Sequence, residues 1–127
     1  IMAAAVADYR PVRISESKIK KTAPTLTLKL ERTPDILGTV KGRFVKVGFA
    51  AESENLIANA QEKLRQKRLD LIIANDITAT DSGFDADTDR VVIIDRTGKA
   101  EKLPLLSKRE VADKVLDRVV KLLSKNR

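Results

Sequence analysis

The run LDLIIA, from Leu69 to Ala74, decides the fold of this chain. It is apolar apart from one aspartate and too short for a buried helix, so it predicts a central strand of a sheet covered on both faces. Apolar residues at helical spacing precede it and predict an amphipathic helix from Glu54 to about Gln66, capped by Ser53. The earlier run Phe44–Phe49 predicts a second strand, and the order strand, helix, strand indicates parallel pairing.

Three elements are predicted closer to the start of the chain. Ile1–Ala7 is apolar and ends at Asp8, which predicts a buried strand that opens onto a loop. Leucines alternate with polar residues from Leu26 to Glu31, the pattern of a half-buried strand. Thr33 stands before a proline and an aspartate, which is a helix-start signal, and predicts a short helix from Pro34 to about Val40.

The second half of the chain alternates in the same way. Asn75–Arg90 is rich in aspartate and glycine and is predicted to be a loop, and VVIID and KLPLL then flank a glycine turn and predict an antiparallel hairpin at the sheet's edge. Ser107 and Glu110 form a capping box before a final amphipathic helix. These elements predict an α/β fold, a three-layer, Rossmann-like and mostly parallel sheet with an antiparallel edge hairpin.

Composition limits the possible chemistry. A chain of 127 residues, 43% apolar and 34% charged, is expected to be a single globular domain that does not span a membrane. It has no cysteine and no histidine, which excludes disulfides, thiolate metal sites, a cysteine nucleophile and a histidine base. Its net charge of +7 favours an anionic partner. The opening IMAAAVA lacks a basic leader, so we do not expect a secretory signal, and we interpret the chain as a fragment.

Four segments are predicted to meet at the carboxyl edge of the sheet, where folds of this kind bind ligands. They are Ala3–Asp8, Thr33–Leu37, Gly48–Glu52 and Asn75–Asp76. Asp8 could accept hydrogen bonds from ribose hydroxyls or hold the water shell of a metal ion. The alternative for Asp8 is a solvated turn residue.

Other residues could bind a nucleotide. Lys18, Lys20 and Lys21 lie close together on a loop and could neutralise a triphosphate, although such clusters are usually solvated surface. Phe49 could pack against a base or ribose, although most phenylalanines lie in the core. Neither a Walker glycine loop nor a GxGxxG pattern occurs, so neither supports a nucleotide site.

Eight blocks in this order resemble signature segments of bacterial phosphopantothenate–cysteine ligases and cover nearly the whole chain. They are AAAVADYRP, KIKK, TPDIL, VGFAAES, the pair Lys63 and Lys67, LDLIIANDI, GFDADTDRV and LPLLSKREVA. The most specific is KIKK, which follows the ADYRP aspartate. By this resemblance, residues 1–127 form the C-terminal part of one nucleotide-binding synthetase domain. The N-terminal part of that domain is absent.

The resemblance implies a cytoplasmic ligase that joins 4′-phosphopantothenate and cysteine in coenzyme A biosynthesis, with CTP and Mg²⁺. The phosphopantothenate carboxylate would attack the α-phosphorus of CTP, and the cysteine amine would then attack the acyl-cytidylate. The products would be phosphopantothenoylcysteine, CMP and pyrophosphate. Such a step needs charge neutralisation more than a histidine base, which suits this chain. CTP is inferred because the blocks resemble those of the bacterial members. The residues alone do not choose between CTP and ATP, since backbone groups can bind either cytosine or adenine.

The resemblance also implies site residues. Lys18 would be the chief electrostatic contributor, Ala5 would lie near the reacting acyl group, and no side chain is assigned as a direct metal ligand. The nucleotide site would consist of Met2, Ala3, Ala4, Asp8, Lys18, Pro34, Asp35, Ile36, Leu37, Phe49, Lys63 and Lys67. Thr33 stands where many relatives have asparagine, and both residue types cap helices.

Partners follow from the same resemblance. Members of the family form homodimers, and the alternating Leu26–Glu31 strand could serve that interface. Bacterial members are commonly fused to a flavin-dependent decarboxylase, but no flavin is expected in this chain.

Two other functions remain open. A nucleic-acid-binding module is one, because the last helix is basic, with Lys108, Arg109, Lys114, Arg118 and Lys121. One Tyr and three Phe leave little aromatic surface for stacking, so no nucleic acid is expected. The other is a nucleotide-binding fragment without turnover.

Overall fold

The computed structural model describes residues 1–4, 6–20, 24–78 and 87–125. Its contacts divide the chain into a larger compact unit, Ile1–Ala3 with Leu37–Arg127, and a smaller one, Ala4–Ile36. In chain order the elements are β1 (Tyr9–Pro11), β2 (Leu30–Arg32), α1 (Ile36–Thr39), β3 (Val47–Glu52), α2 (Leu56–Gln66), β4 (Leu71–Asp76), β5 (Thr88–Asp89), β6 (Val91–Asp95), β7 (Ala100–Lys102), β8 (Leu106–Ser107) and α3 (Lys108–Lys125).

The larger unit is built on a mixed sheet with the strand order β3-β4-β6-β7. β3 and β4 are parallel, whereas β6 is antiparallel to both β4 and β7. Met2 adds a parallel bridge to Gly48, with its backbone N–H 2.9 Å from the carbonyl of Val47. The predicted α/β class is confirmed, and the sheet has a parallel side and an antiparallel side of similar extent.

Helices cover both faces of this sheet, as the prediction of three layers requires. On one face, Ala60 and Leu64 of α2 are buried against a cluster that includes Ile72 and Ile94. On the other face, Val111 and Val115 of α3 are buried among the alternate strand residues. β4 and β6 are covered on both sides, which is why LDLIIA and VVIID are continuous apolar runs.

The second strand of the hairpin lies earlier in the chain than predicted. Its second strand is β7, which begins at Ala100, and not KLPLL. Asp95 explains the early start, because its Oδ1 accepts the backbone N–H of Thr97 at 2.9 Å and of Lys99 at 3.3 Å, which closes a tight turn. Gly98 has φ +87°, which glycine adopts without strain. Of the two hairpin strands, β6 is an interior strand and β7 lies at an edge of the sheet.

Two predicted strands near the start of the chain are wrong in extent and burial. In the smaller unit, β1 and β2 pair antiparallel, but β2 covers only the end of the predicted Leu26–Glu31 strand, and its residues are exposed. In the larger unit, Met2 makes an isolated bridge to Gly48, while its neighbours Ile1 and Ala3 are exposed. Alternation and apolar runs predict extended chain, but they do not show which other layer covers it.

The helix ends test the capping signals. α1 is shorter than the predicted Pro34–Val40 helix. α2 begins at Leu56, after Asn55 in a left-handed conformation (φ 47°), and not after Ser53. The capping box of α3 is confirmed, because Glu110 Oε2 accepts the Ser107 backbone N–H at 2.9 Å and Ser107 Oγ accepts the Glu110 N–H at 3.2 Å.

Candidate functional site

Two of the four predicted segments meet at the carboxyl ends of the parallel strands. Ala51 is the register partner of Asn75, and Glu52 is the register partner of Asp76. Asn75 and Asp76 therefore belong to β4 and not to the loop that was predicted to begin at Asn75. This edge is the place where ligands bind in open α/β sheets.

Glu52 is a buried charged residue at this edge, and sequence reasoning assigned it no function. Its side chain is 11% exposed, and its Oε1 lies 2.6 Å from the ammonium of Lys63. Its other oxygen, Oε2, accepts a hydrogen bond from Asn59 Nδ2 at 3.2 Å. The predicted nucleotide-binding residue Lys63 is thus held by an ion pair at the end of β3. The sequence did contain a signal for this pair, because Glu52 follows a predicted strand and Lys63 lies on the helix predicted after it.

Lys67 lies at the other end of the same helix. It is the C-terminal cap of α2, and its carbonyl accepts a hydrogen bond from Lys46 Nζ at 2.7 Å. Lys46 directly precedes β3, so the backbone of Lys67 lies beside the start of that strand, whereas Lys63 reaches its end. The structure therefore gives the two predicted lysines different surroundings.

Phe49 is 44% exposed, so it is not a core residue. It is the register partner of Ile73 in β4, and Ala51, two residues on, is also exposed. The two side chains leave an open, partly aromatic strip on the edge strand. Gly48, between the buried Val47 and Phe49, has no room for a side chain, because a Cβ there would lie 2.8 Å from Leu69 Cδ1.

The remaining predicted residues of the larger unit lie beside β3. Met2 is half-buried on its bridge to Gly48, and Ala3 is exposed. Leu37 packs against the α2-side core, and its carbonyl lies 3.4 Å from Lys46 Nζ. Ala5, which was assigned to the acyl group, lies outside the described residues.

The smaller unit brings Asp8 next to the Thr33 segment. The carbonyl of Asp8 accepts the backbone N–H of Thr33 at 2.9 Å, and Thr33 Oγ1 donates to the carbonyl of Ala7 at 2.6 Å. Pro34, Asp35 and Ile36 follow directly, all with exposed side chains. Two backbone-linked strands thus hold Asp8 beside the chain that leads into α1.

The other candidates of the smaller unit lie on its surface. Ala4 is exposed, and so are Lys18 and Lys20, while Lys21 lies outside the described residues. Exposed ammonium groups on a loop fit a contact with solvated phosphates.

A second polar pair lies at the end of β4. Asn75 Nδ2 donates to Asp89 Oδ2 at 3.2 Å, and the Oδ1 atoms of both residues are buried without a hydrogen-bond partner among the described residues. Burial raises the pKa of Asp89, although hydrogen bonds from Arg90 and Asn75 and the charge of Lys108 oppose it. The sequence placed both residues in a loop, and their pairing across 14 positions has no periodic signal.

Features away from this edge bear on the alternatives. A cleft of about 410 Å³ lies between the last turns of α3 and strands β6 and β7, and it is lined by Arg118 and Lys121 of the basic helix but by none of the nucleotide-site candidates. On the basic helix, Arg118 is paired with Glu101 of β7. Within the described ranges, no three acidic side chains are grouped closely enough to hold a metal ion, and no helix is long and apolar enough to cross a membrane.

Comparison with known proteins gives consistent matches. Residues 1–123 match the family described as DNA/pantothenate metabolism flavoprotein C-terminal domain. The chain is 42% identical over 125 residues to the coenzyme A biosynthesis bifunctional protein CoaBC of Bacillus subtilis. The matched region covers 96% of this chain and 31% of that protein. It is 38% identical over 127 residues to a cysteine/cysteine sulfinic acid decarboxylase of an unknown prokaryotic organism, which covers 97% of this chain and 35% of that protein.

A solved structure shows the same fold. The crystal structure of the C-terminal domain of a CoaBC protein superposes with a TM-score of 0.73 at 35% identity, and it covers 96% of this chain and 53% of that chain. The chain therefore spans about a third of the length of these curated relatives and about half of the solved domain.

Proposed function

Because the chain belongs to the DNA/pantothenate metabolism flavoprotein C-terminal domain family, we propose that it forms the CTP-binding part of a phosphopantothenate–cysteine ligase of coenzyme A biosynthesis. The observation that carries this proposal is the 42% identity to CoaBC across 96% of the chain. Exposed Phe49 in the middle of β3, and Lys63 paired with Glu52 at the carboxyl end of that strand, support a ligand site there.

The proposed reaction has two steps. The carboxylate of 4′-phosphopantothenate attacks the α-phosphorus of CTP, and pyrophosphate leaves. The amine of cysteine then attacks the acyl carbon, CMP leaves, and the new bond is an amide. In the first step negative charge accumulates on the departing pyrophosphate, so cations near the triphosphate lower the barrier.

The chain's own residues have distinct parts in this proposal. Lys18 neutralises the triphosphate, and its exposed position on a loop allows it to follow the leaving group. Asp8 accepts hydrogen bonds from ribose or from the water shell of a Mg²⁺ ion that arrives with the nucleotide, and its exposed side chain fits such an outer contact. Ala5 borders the acyl group, where a small side chain permits close approach.

The other nucleotide contacts are proposed on the same basis. Met2 and Ala3 line the edge beside β3, and Ala4 and the segment Pro34–Leu37 offer backbone groups to the nucleotide. Phe49 packs against it, and Lys63 and Lys67 contribute from α2. The protein is further proposed to form a homodimer and to work with a flavin-dependent decarboxylase, either fused or associated.

Pyrophosphate release tests this function. The protein, expressed with whatever natural sequence flanks it, is mixed with phosphopantothenate and CTP, and the assay is repeated with ATP. We expect release with CTP and a loss of at least about tenfold in Lys18→Gln, since one well-placed cation contributes a few kcal/mol to such a transition state. Lys99→Gln, an exposed lysine in the hairpin turn, is the matched control.

The other outcomes select other functions. CTP binding without pyrophosphate release identifies a nucleotide-binding protein without turnover. A salt-sensitive gel shift with nucleic acid, at an affinity comparable to that for CTP, identifies a nucleic-acid-binding module. Release that Lys18→Gln leaves unchanged removes Lys18 from the proposed mechanism.

A further inference from the structure

Three arginines line a depression at the amino ends of the parallel strands, the edge of the sheet opposite the candidate site. This arginine depression has a volume of about 250 Å³, and it is lined by Arg65, Arg68, Arg96, Asp70 and two leucines. Arg65 lies in the last turn of α2, and Arg68 follows the C-terminal cap of that helix. Arg96 follows β6, and its backbone N–H lies 3.0 Å from the carbonyl of Asp70, which directly precedes β4. The length of β4 separates this edge from the carboxyl edge by about 17 Å.

The arginine depression carries an excess of positive charge. Asp70 is the acidic residue among its lining residues, and the carboxylate is already engaged. Its Oδ2 accepts the backbone N–H of Lys46 at 2.8 Å, and its Oδ1 lies 3.5 Å from the guanidinium of Arg96. In the part of the chain that the structure describes, the side chains of Arg65 and Arg68 make no hydrogen bond or ion pair. Three guanidinium groups against one carboxylate therefore leave a field that attracts an anion.

Arg68 occupies a backbone position that favours glycine. Its φ is +52°, in the left-handed region that residues with a side chain adopt at a cost. The end of α2 is closed by backbone groups, because the N–H of Leu69 bonds to the carbonyl of Leu64 at 2.9 Å and the N–H of Arg68 bonds to the carbonyl of Arg65 at 3.2 Å. The helix end thus makes no use of the Arg68 side chain. A ligand for the guanidinium explains why an arginine stands where glycine would be less strained.

We propose that the arginine depression binds a phosphate group, either free or as the terminal phosphate of a small metabolite. Guanidinium groups recognise phosphate oxygens through paired N–H donors, and Asp70 positions one of them, Arg96. The volume lies below the roughly 300–1,000 Å³ of sites that enclose drug-sized ligands, which fits a small anion. This site lies at the other end of the sheet from the proposed nucleotide contacts of α2 and β3, and it does not depend on the proposed function.

Phosphate titration tests the proposal. The backbone amide signals of Arg65, Arg68 and Arg96 are followed by NMR as inorganic phosphate replaces chloride at constant ionic strength, in nucleotide-free protein. We expect these signals to shift along one saturating curve. Arg68→Met should weaken the affinity about tenfold or more, since it removes hydrogen bonds between charged groups. Arg68→Lys should weaken it several-fold, because the charge remains but the paired donors are lost.

The matched control is Arg109→Met, which removes an exposed guanidinium from the first turn of α3 and should leave the affinity unchanged. A second ligand, glycerol 3-phosphate, separates the two sources of the phosphate group. If this monoester binds more tightly than inorganic phosphate, the ligand is a phosphorylated metabolite. If it binds equally or more weakly, the ligand is the free anion.

Arg68→Gly gives an independent readout, because its two expected effects have opposite signs. In phosphate-free buffer, glycine relieves the left-handed backbone, so Tm should rise by roughly 2–5 °C. Phosphate should then raise the Tm of the wild type more than that of the variant, since a ligand stabilises only the protein that binds it. The general stabilising effect of phosphate as a salt acts on both proteins and cancels in this comparison.

Four results would overturn the inference. Phosphate-induced shifts confined to other parts of the chain, such as the Lys18 loop, place the anion elsewhere. An affinity that Arg68→Met leaves unchanged, or that Arg109→Met lowers equally, indicates diffuse charge and not a site. An equal effect of phosphate on the Tm of the wild type and of Arg68→Gly excludes binding through Arg68. A Tm of Arg68→Gly below that of the wild type in phosphate-free buffer shows that the Arg68 side chain stabilises the fold itself.

Discussion

Lys63 Nζ lies 2.6 Å from Glu52 Oε1, and this ion pair joins the third turn of α2 to the last residue of β3. Glu52 is buried at a strand end where backbone pairing stops, so its carboxylate depends on Lys63 and Asn59 for partners. The pair therefore links the stability of the sheet's carboxyl edge to Lys63, which we propose contacts the nucleotide.

Removing Lys63 should destabilise the fold measurably. We expect Lys63→Met to lower the free energy of unfolding by about 1–2 kcal/mol, because Glu52 loses a charged partner that water replaces only in part. Chemical denaturation measures the change, and Arg65→Met should alter it by less than about 0.5 kcal/mol. In the double variant with Glu52→Gln, the cost should be smaller than the sum of the single costs. Additive costs would show that the ion pair contributes nothing.

The capping box of α3 should give the protein an acid-sensitive contribution to stability. Hydrogen bonds from the Ser107 hydroxyl and backbone N–H lower the pKa of Glu110 in the folded state. Its stabilisation is therefore fully present above the unfolded pKa, and it is lost as the pH falls through the lower folded pKa. Thermal unfolding from pH 7 down to pH 3 should show a steeper decrease of Tm in the wild type than in Glu110→Gln. Parallel curves would contradict it.

Ser107→Ala removes the other half of the box. It should cost about 1 kcal/mol at pH 7, the usual value for losing an N-terminal cap. Ser107→Asp keeps an acceptor at the cap and should recover most of that loss, which separates capping from a general effect of mutation at this position.

Local chemistry explains what the sequence predicts well. LDLIIA, the apolar stripe of α2 and the Ser107–Glu110 box depend on residues within one element, so their periodicity or spacing is visible directly. The predictions fail where contacts between distant parts of the chain determine burial or the ends of an element. The Leu26–Glu31 pattern predicts a covered face that the smaller unit leaves exposed, and the turn at Asp95 starts β7 earlier than strand propensity indicates.

The candidate site shows the same division. Lys63 is recognisable from family resemblance, but Glu52 and Asn59 become its partners only through packing of α2 on β3. Asn75 and Asp89 meet because β6 lies antiparallel beside β4, and no short pattern encodes that pairing.

Gly48 should tolerate no side chain. A Cβ there would lie 2.8 Å from Leu69 Cδ1 and 3.1 Å from Leu37 Cδ2, so Gly48→Ala should cost about 1–3 kcal/mol through overpacking. Leu69→Val shortens the closer neighbour, and the double variant should therefore be more stable than the sum of the single effects. Urea denaturation of the four proteins measures the coupling. A double variant as unstable as the sum would place the strain elsewhere.

The exposed leucines of the smaller unit should form the proposed homodimer interface. Leu26, Leu28 and Leu30 are 66%, 59% and 51% exposed at alternate positions, an apolar row that a second copy of the chain could cover. Two copies of Leu28 buried in a dimer would contribute about 3–6 kcal/mol, so Leu28→Lys should raise the dimer Kd by roughly a hundredfold or more. Size-exclusion chromatography with light scattering across a dilution series measures the shift. Leu105→Lys, at an exposed leucine of the larger unit, should leave the dimer intact. A wild type that elutes as a monomer at all concentrations would exclude this interface.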